Sequence, residues 1–235
     1  LEQIRDYTNV RVRRDGEGWG ANKEAFKAAM EQGGVSPSYA KPSLFHVADD
    51  VFLMMSNHEY GGTATSADDV TAATLRARHE LHRQMAALRS LGPPWEDLRL
   101  VATSAQIGTR EGRRIHGRAT VTDEDIRQGA KHENAACRVF AGVDIHSVDP
   151  AKNKGIDNAG FKAQPYDIPL GALLAKDVDG LLLAGRCISG SFAAHSSYRM
   201  TGTAMALGEV AGQVAATAVR SGVLPHDVAW PEGSD

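Results

Sequence analysis

Two segments in the second half of the chain carry residues that could do chemistry. The first, TREGRRIHGRATVT, places Arg110, Arg113, Arg114 and Arg118 in one short run. A guanidinium can bind a carboxylate or a phosphate through two parallel N–H bonds, so this run could hold an anionic group of a substrate or cofactor. The alternative, which composition alone favours, is a solvated strand face.

The second segment, LLLAGRCISG, is an apolar run that stops at Gly185 and Arg186. Such a run is typical of a buried strand that delivers a ligand-binding turn. A predicted helix follows at 201–219, and its first turn is Thr201-Gly202-Thr203. A strand, a glycine turn and a helix start favour anion binding, because free backbone N–H groups and the helix dipole point at one spot. This pattern does not by itself name the ligand.

The composition of the chain indicates the class of protein that carries these segments. The chain has 235 residues, of which 42% are hydrophobic and 23% charged, which predicts a globular protein of one or two domains. A net charge of -3 argues against nucleic acid or an anionic membrane as a partner. Two cysteines exclude a disulfide-rich scaffold. No transmembrane segment is predicted, and a cytoplasmic location is favoured while the compartment stays open. The N-terminus, LEQIRDYTN, reads like a cut inside a larger protein.

Local patterns predict a mixture of helices and strands. Periodic apolar residues predict helices over 22–32 and 67–91, and Thr122 with Asp125 predicts the capped start of a short helix. A run rich in small residues predicts the helix over 201–219. Apolar or alternating runs predict strands near 9–13, 98–103, 114–121 and 179–186, and a strand pair within 44–55 that turns at Asp49 and Asp50. Residues 147–164 are predicted to form a polar loop.

Two further patterns are weak. Gly16, Gly18 and Ala21 formally fit the dinucleotide fingerprint G-x-G-x-x-G/A, but the charged strand before them favours a hairpin turn and a helix start. His79 and His82 lie three residues apart on the predicted second helix. No third ligand is evident, so we interpret them as solvated residues and predict no metal site.

The C-terminal segment also carries a family resemblance. PYDIPLGALLAKDVDGLLLAGRCISGSFAAHSSYRMTGTAMALGEVAG resembles the C-terminal part of the FAD-dependent oxidoreductases related to the fumarate reductase and succinate dehydrogenase flavoproteins. QIGTREGRRIHGRATVT resembles the Arg-rich segment of the same family. Together these stretches cover 106–219, and 1–105 correspond less clearly to the family's substrate-facing middle region.

The resemblance implies a set of site residues. The segment resembling LLLAGRCISG contacts the ribityl and pyrophosphate part of FAD in the family, and the helix start resembling RMTGTA lies beside N1 and the C2 carbonyl of the flavin ring. The residues that this assigns to FAD are Gly185, Arg186, Cys187, Ile188, Ser189, Arg199, Thr201, Gly202, Thr203 and Ala204. Arg110 and Arg114 become substrate-side cations, joined by Arg113.

Four residues of the segment keep alternative roles. Arg186 and Arg199 could instead belong to ordinary surface or inter-element ion pairs. His195 lies where the family places residues near the reactive face of the flavin, so it is the leading acid/base candidate, with a hydrogen-bonded structural histidine as the alternative. Cys187 is interpreted as a small packing residue, and a reactive thiol or a covalent tether is the alternative.

The resemblance also implies a fold and an incomplete cofactor site. The expected fold is α/β: the C-terminal part of a Rossmann-like FAD domain of the glutathione-reductase type at 166–235, with an α+β substrate region at 1–165. The N-terminal G-x-G-x-x-G half that holds the ADP part of FAD is absent from the sequence, so that half would come from another subunit or from a cleaved or missing N-terminal segment.

Three functions fit these expectations. The first is half of an FAD-dependent dehydrogenase or reductase that moves a hydride between flavin N5 and a small polar or anionic substrate. The second is a non-catalytic, flavin-free structural or interaction subunit, and the third is an electron-transfer flavin subunit.

Overall fold

The computed structural model describes residues 2–9, 20–158 and 160–230. Contacts between α-carbons divide the chain into two compact units, Leu1–Thr109 with Ser147–Gly155 and Arg110–His146 with Ile156–Asp235. The Arg-rich segment therefore packs in the same unit as the C-terminal segment. The boundary between a substrate region at 1–165 and an FAD-binding part at 166–235 stays a prediction. Gly16, Gly18 and most of the first predicted strand lie outside the described residues.

The first unit combines a small sheet with two helices. A 3-10 helix at Glu2–Tyr7 precedes β1 (Thr8–Asn9), α1 (Ala21–Gln32), β2 (Ser43–Ala48), β3 (Val51–Met55) and α2 (Ala67–Arg89). The strand order is β1-β2-β3, with β2 parallel to β1 and antiparallel to β3. Its core contains Phe26, Met30, Leu44, Leu88 and Trp95. The predicted strand pair and both helices are confirmed.

The predicted strand at 98–103 is wrong. This segment pairs with no described strand, and its neighbourhood is held by side chains of α2. Arg89 Nε donates to the carbonyl of Leu98 at 2.7 Å, and Arg78 Nη2 donates to the carbonyls of Ser104 and Ala105 at 3.1 and 2.9 Å. A β-prone run becomes a strand only where a neighbouring strand can pair with it.

The second unit contains the C-terminal segment. Its elements are α3 (Asp123–Gln128), β4 (Ala135–Val139), β5 (Tyr166–Pro169), α4 (Phe192–Tyr198) and α5 (Thr201–Ser221), with 3-10 turns at Leu170–Ala172, Gly185–Cys187 and Pro225–Asp227. Strands β4 and β5 are antiparallel. The core that joins them to the helices includes Tyr166, Ile168, Tyr198, Leu207 and Val214.

The helices of this unit follow their sequence signals. The hydroxyl of Thr122 accepts from the backbone N–H of Asp125 at 3.2 Å, and the Asp125 carboxylate accepts in return from the backbone N–H of Thr122 at 2.7 Å. This capping box fixes the start of α3. Helix α5 buries Leu207, Val210, Val214 and Ala218 on one stripe and ends at Gly222, which has φ 67°. The predicted polar loop is also confirmed, since the described part of 147–164 contains neither a helix nor a strand.

Two other predictions in this unit need correction. The segment 179–186 is not a strand: it makes one bridge, between Leu182 and Leu174, and then turns into the 3-10 helix Gly185–Cys187. The short helix α4 was not predicted, although the Ser191 hydroxyl caps it by accepting from the N–H of Ala194 at 3.1 Å. In the described part of the chain, no helix could cross a membrane, and no three potential metal ligands gather at one place.

Candidate functional site

Backbone hydrogen bonds tie the Arg-rich segment to the predicted ligand-binding turn. The N–H of Ile115 donates to the carbonyl of Cys187 at 3.0 Å, and that of Val121 to the carbonyl of Ser189 at 3.1 Å. Gly117 permits this approach, because a Cβ there would lie 2.7 Å from the Cβ of Ser189. Residues 115–121 alternate between more and less exposed positions as predicted, but they form isolated bridges and not a continuous strand.

The turn and the start of α5 also lie side by side. Gly185 has φ 74°, a left-handed conformation that glycine adopts without steric cost. An ideal Cβ on Gly185 would lie 3.4 Å from the Cβ of Ala204. The two segments predicted to contact the cofactor are therefore neighbours in this unit.

Asp144 contacts two arginines for which the sequence analysis predicted different roles, Arg199 at the cofactor and Arg110 at the substrate. Its carboxylate lies 3.4 Å from Arg199 Nη2 and 3.9 Å from Arg110 Nη1. Arg199 Nη2 also donates to the backbone carbonyl of Asp144, and the Arg199 side chain is only 8% exposed. The other oxygen of Asp144 lies 3.3 Å from Nε2 of His146. One carboxylate thus holds a buried and an exposed arginine together.

The same contacts stabilise the ionised form of Asp144. The hydrogen bond from His146 is the largest cause that lowers the pKa of this carboxyl group, and the charges of Arg199 and Arg110 lower it further against the opposing effect of burial. Asp144 therefore keeps its negative charge at neutral pH. This charge keeps two guanidinium groups close together that would otherwise repel each other.

A second cluster of charged residues lies next to His195. Nη1 of Arg114 lies 3.2 Å from Oε2 of Glu111, and the same oxygen lies 3.8 Å from Nδ1 of His195. His195 has no solvent-exposed surface, and neither of its ring nitrogens makes a hydrogen bond to any described residue. The predicted acid/base residue is therefore buried beside a predicted substrate-side cation, with the hydrogen-bonding capacity of both ring nitrogens unused.

Burial and positive charge keep His195 neutral. Desolvation is the largest effect, and together with Arg114, Arg199 and Arg186 it lowers the pKa of His195 to about 4. At neutral pH the ring therefore carries one N–H donor and one acceptor lone pair. It could accept a proton or share a hydrogen bond, but it has no extra proton to give.

The remaining predicted residues fall into exposed and buried sets. Arg186 is exposed, and its Nη1 donates to the backbone carbonyl of Arg110 at 3.4 Å. Thr201 and Gly202 are exposed, and Thr203 is partly buried. Ile188 and Ser189 are buried, the hydroxyl of Ser189 lies 2.9 Å from that of Thr120, and Sγ of Cys187 donates to the carbonyl of Ala184 at 3.3 Å. Contact of these residues with a cofactor stays a prediction.

Sequence reasoning missed the two acids of this site. Glu111 lies within the Arg-rich run, where only the cations were considered. Asp144 lies in a segment with neither helix nor strand, and the one local signal was the Asp-x-His pair that it forms with His146. A run of arginines predicts that carboxylates lie nearby, but it does not indicate which ones.

The chain is similar to a known protein family over nearly its whole length. A family model described as FAD dependent oxidoreductase matches residues 3–233. No curated protein and no solved structure gave a significant match.

The substitution Asp144→Asn tests the role of this carboxylate. It leaves the largely buried Arg199 without its charged partner, so we expect the free energy of unfolding to fall by about 1–3 kcal/mol, less than for a fully buried pair. Denaturant unfolding measures this change. Asp179→Asn is the matched control, because Asp179 pairs with Arg118 at the surface and its loss costs at most about 1 kcal/mol. Equal effects of the two substitutions would refute the special role of Asp144.

The buried, neutral His195 predicts a pH dependence of stability. Its pKa is lower in the folded protein than in the unfolded chain, so the unfolded chain binds more protons and stability falls as the pH is lowered from about 6.5 to about 4. We expect His195→Gln to remove up to about 3 kcal/mol of this dependence. The measurement is the free energy of unfolding across this pH range.

His116→Gln is the control for this experiment, because His116 is an exposed histidine of the same unit. It should leave the pH dependence of the wild-type protein unchanged. A His195→Gln protein that loses as much stability on acidification as the wild type would contradict the assignment.

Proposed function

Because this chain belongs to the FAD dependent oxidoreductase family, and is thus an FAD-using enzyme, we propose that its second unit forms the flavin side of the active site and binds a small polar or anionic substrate. In this proposal the turn Gly185–Cys187, Ile188, Ser189, Arg199 and the start of α5 lie against FAD. Arg110 and Arg114 orient the substrate, and His195 lies next to the reacting atoms.

The residues present fit a flavin. A Cβ on Gly202 would meet no atom within 4 Å, so the protein's own packing leaves room at the first turn of α5. No described residue accepts from the backbone N–H groups of Thr201, Gly202 or Thr203. Free N–H groups and the positive end of the helix dipole favour the electron-rich N1 and C2 carbonyl edge of a flavin ring. The buried nitrogens of His195 supply further polar groups that need a partner.

When bound, FAD supplies hydride transfer. The chain's own residues then have separable tasks. Arg110, Arg114 and Arg199 supply positive charge for an anionic group, since guanidinium groups bind carboxylates with defined geometry. Asp144 keeps two of these arginines in place. His195, neutral at neutral pH, exchanges a proton or a hydrogen bond with the substrate.

We further propose that the second unit is the C-terminal part of a Rossmann-like FAD domain related to that of fumarate reductase and succinate dehydrogenase flavoproteins. The described residues hold no strand followed by a glycine-rich phosphate loop, so the ADP part of FAD would be bound by another segment of the polypeptide or by a second subunit. The assembly would then be a heteromer if that segment is a separate chain.

The observation that carries the proposal is the environment of His195. The imidazole is buried and neutral, lies on the helix just before α5, and is close to three arginines. It has no hydrogen-bond partner among the described residues. Such an arrangement lowers the stability of the folded protein, which is unexpected for a residue with only a structural role. Perturbed titratable groups of this kind concentrate at functional sites.

The position of the flavin can be tested with two glycines of the same helix. Gly202→Val adds a rigid side chain where we place the flavin ring, so we expect FAD binding to weaken at least about tenfold, which is about 1.4 kcal/mol. Gly208→Val is the matched control, since Gly208 also lies in open space but six residues further along α5. It should retain FAD as the wild type does.

The measurement is the dissociation constant of FAD, from flavin fluorescence, for the protein purified with any polypeptide that accompanies it. The proposal fails if Gly202→Val binds FAD as tightly as Gly208→Val.

A further inference from the structure

His195 requires a hydrogen-bond donor and a hydrogen-bond acceptor that the described residues do not provide at bonding distance. Its imidazole is fully buried, and both ring nitrogens lack a partner. A neutral imidazole has one N–H and one lone pair, and leaving either unsatisfied in the interior costs about 1–3 kcal/mol. A small adjustment of a neighbour, a bound water or a ligand would complete its hydrogen bonds.

The charged groups around His195 favour one of its two nitrogens as the site of the proton. Arg114, Arg186 and Arg199 are the cations that act on it, and a guanidinium can only donate. Tyr198 packs against the imidazole edge to face, with ring centroids 5.5 Å apart, while its hydroxyl donates to the carbonyl of Ile188. Glu111 is the acceptor that remains among these neighbours, and its Oε2 lies 3.8 Å from Nδ1.

Glu111 is suited to close this gap. Its carboxylate is already oriented by Arg114 at 3.2 Å, and it is 37% exposed, so it has room to move. It lies outside the helices and strands of the unit. An adjustment of about 1 Å would bring Oε2 to hydrogen-bonding distance from Nδ1, and catalytic hydrogen bonds are often long before a ligand binds.

We propose that Glu111 is a positioning residue that holds His195 with its Nδ1–H toward the carboxylate, so that Nε2 accepts the hydroxyl proton of an anionic alcohol substrate. This inference rests on the proposed function, and it adds a residue, a tautomer and a substrate class. The reaction served is oxidation of the alcohol to a carbonyl compound.

The chemistry of this step balances. The O–H bond breaks and its proton goes to Nε2, while the O–H electron pair forms the second bond of the carbonyl. The C–H bond breaks, and its hydrogen leaves with both electrons to FAD, which the family's activity supplies as the oxidant. The imidazolium that forms is stabilised by the Glu111 carboxylate at Nδ1, as in other carboxylate–histidine pairs. The nearby arginines attract the anionic group of the substrate.

The tautomer can be read by NMR without measuring turnover. In the FAD-bound protein labelled with ¹⁵N-histidine, the His195 signal is identified by its loss in His195→Gln. We expect Nδ1 of the wild-type ring to show the shift of a protonated nitrogen and Nε2 that of an unprotonated one. Glu111→Gln keeps an acceptor oxygen and should preserve this pattern, whereas Glu111→Ala removes it and should yield a mixture of tautomers.

Glu124→Ala, an exposed substitution on α3, is the control and should leave the His195 signals unchanged. A wild-type ring protonated at Nε2, or a Glu111→Ala protein with the wild-type pattern, would overturn the positioning role. If Glu111→Ala does not fold, the wild-type and Glu111→Gln spectra still decide between the tautomers.

Lactate and propanoate test the substrate class, because they differ only by a hydroxyl group. At saturating concentration, lactate should shift the Nε2 signal and propanoate should not, since only lactate can donate to the lone pair. Equal shifts, or none from lactate, would overturn the alcohol assignment. Normal FAD binding by Gly202→Val would instead contradict the proposed function. The two failures can therefore be told apart.

Discussion

The site depends on keeping several positive charges close together without unfolding the unit that carries them. Asp144 makes this possible, because its carboxylate contacts Arg199 and Arg110 from two distant parts of the sequence and is itself held ionised by His146. Arg199 is largely buried and follows α4, so its position fixes the start of α5 relative to the Arg-rich segment. Without this carboxylate, the repulsion between Arg110 and Arg199 would be uncompensated and would destabilise the contact between the two segments, which backbone hydrogen bonds also join.

Positively charged side chains also lie around His195. Arg114, Arg186 and Arg199 together with burial make its protonated form unfavourable, and Glu111 is the carboxylate placed to counter them. The ring is therefore better suited to receive a proton than to supply one, and an anionic ligand would increase its basicity by reducing the local positive charge. The two acids thus have different tasks: one holds the arginines in place, and the other orients the histidine.

Features that depend on local sequence could be predicted, and features that depend on distant partners could not. The capping box at Thr122 and Asp125, the turn at Asp49 and the apolar stripe of α2 are all set by neighbouring residues. The segments 98–103 and 179–186 have β-prone sequences but no continuous partner strand among the described residues, so neither becomes a strand. The grouping of Arg114 with His195 was anticipated only through the family resemblance. Asp144 was missed because nothing in its local sequence shows that it lies beside Arg199, which is 55 residues away.

The most direct test of this account is an electron-density map of the FAD-bound protein, determined with whatever segment or subunit completes the cofactor site. The account predicts density for the flavin ring at the first turn of α5, beside Gly202 and Gly185, with Arg199 still bound to Asp144. A flavin ring bound elsewhere, with the start of α5 in contact only with protein or solvent, would contradict it.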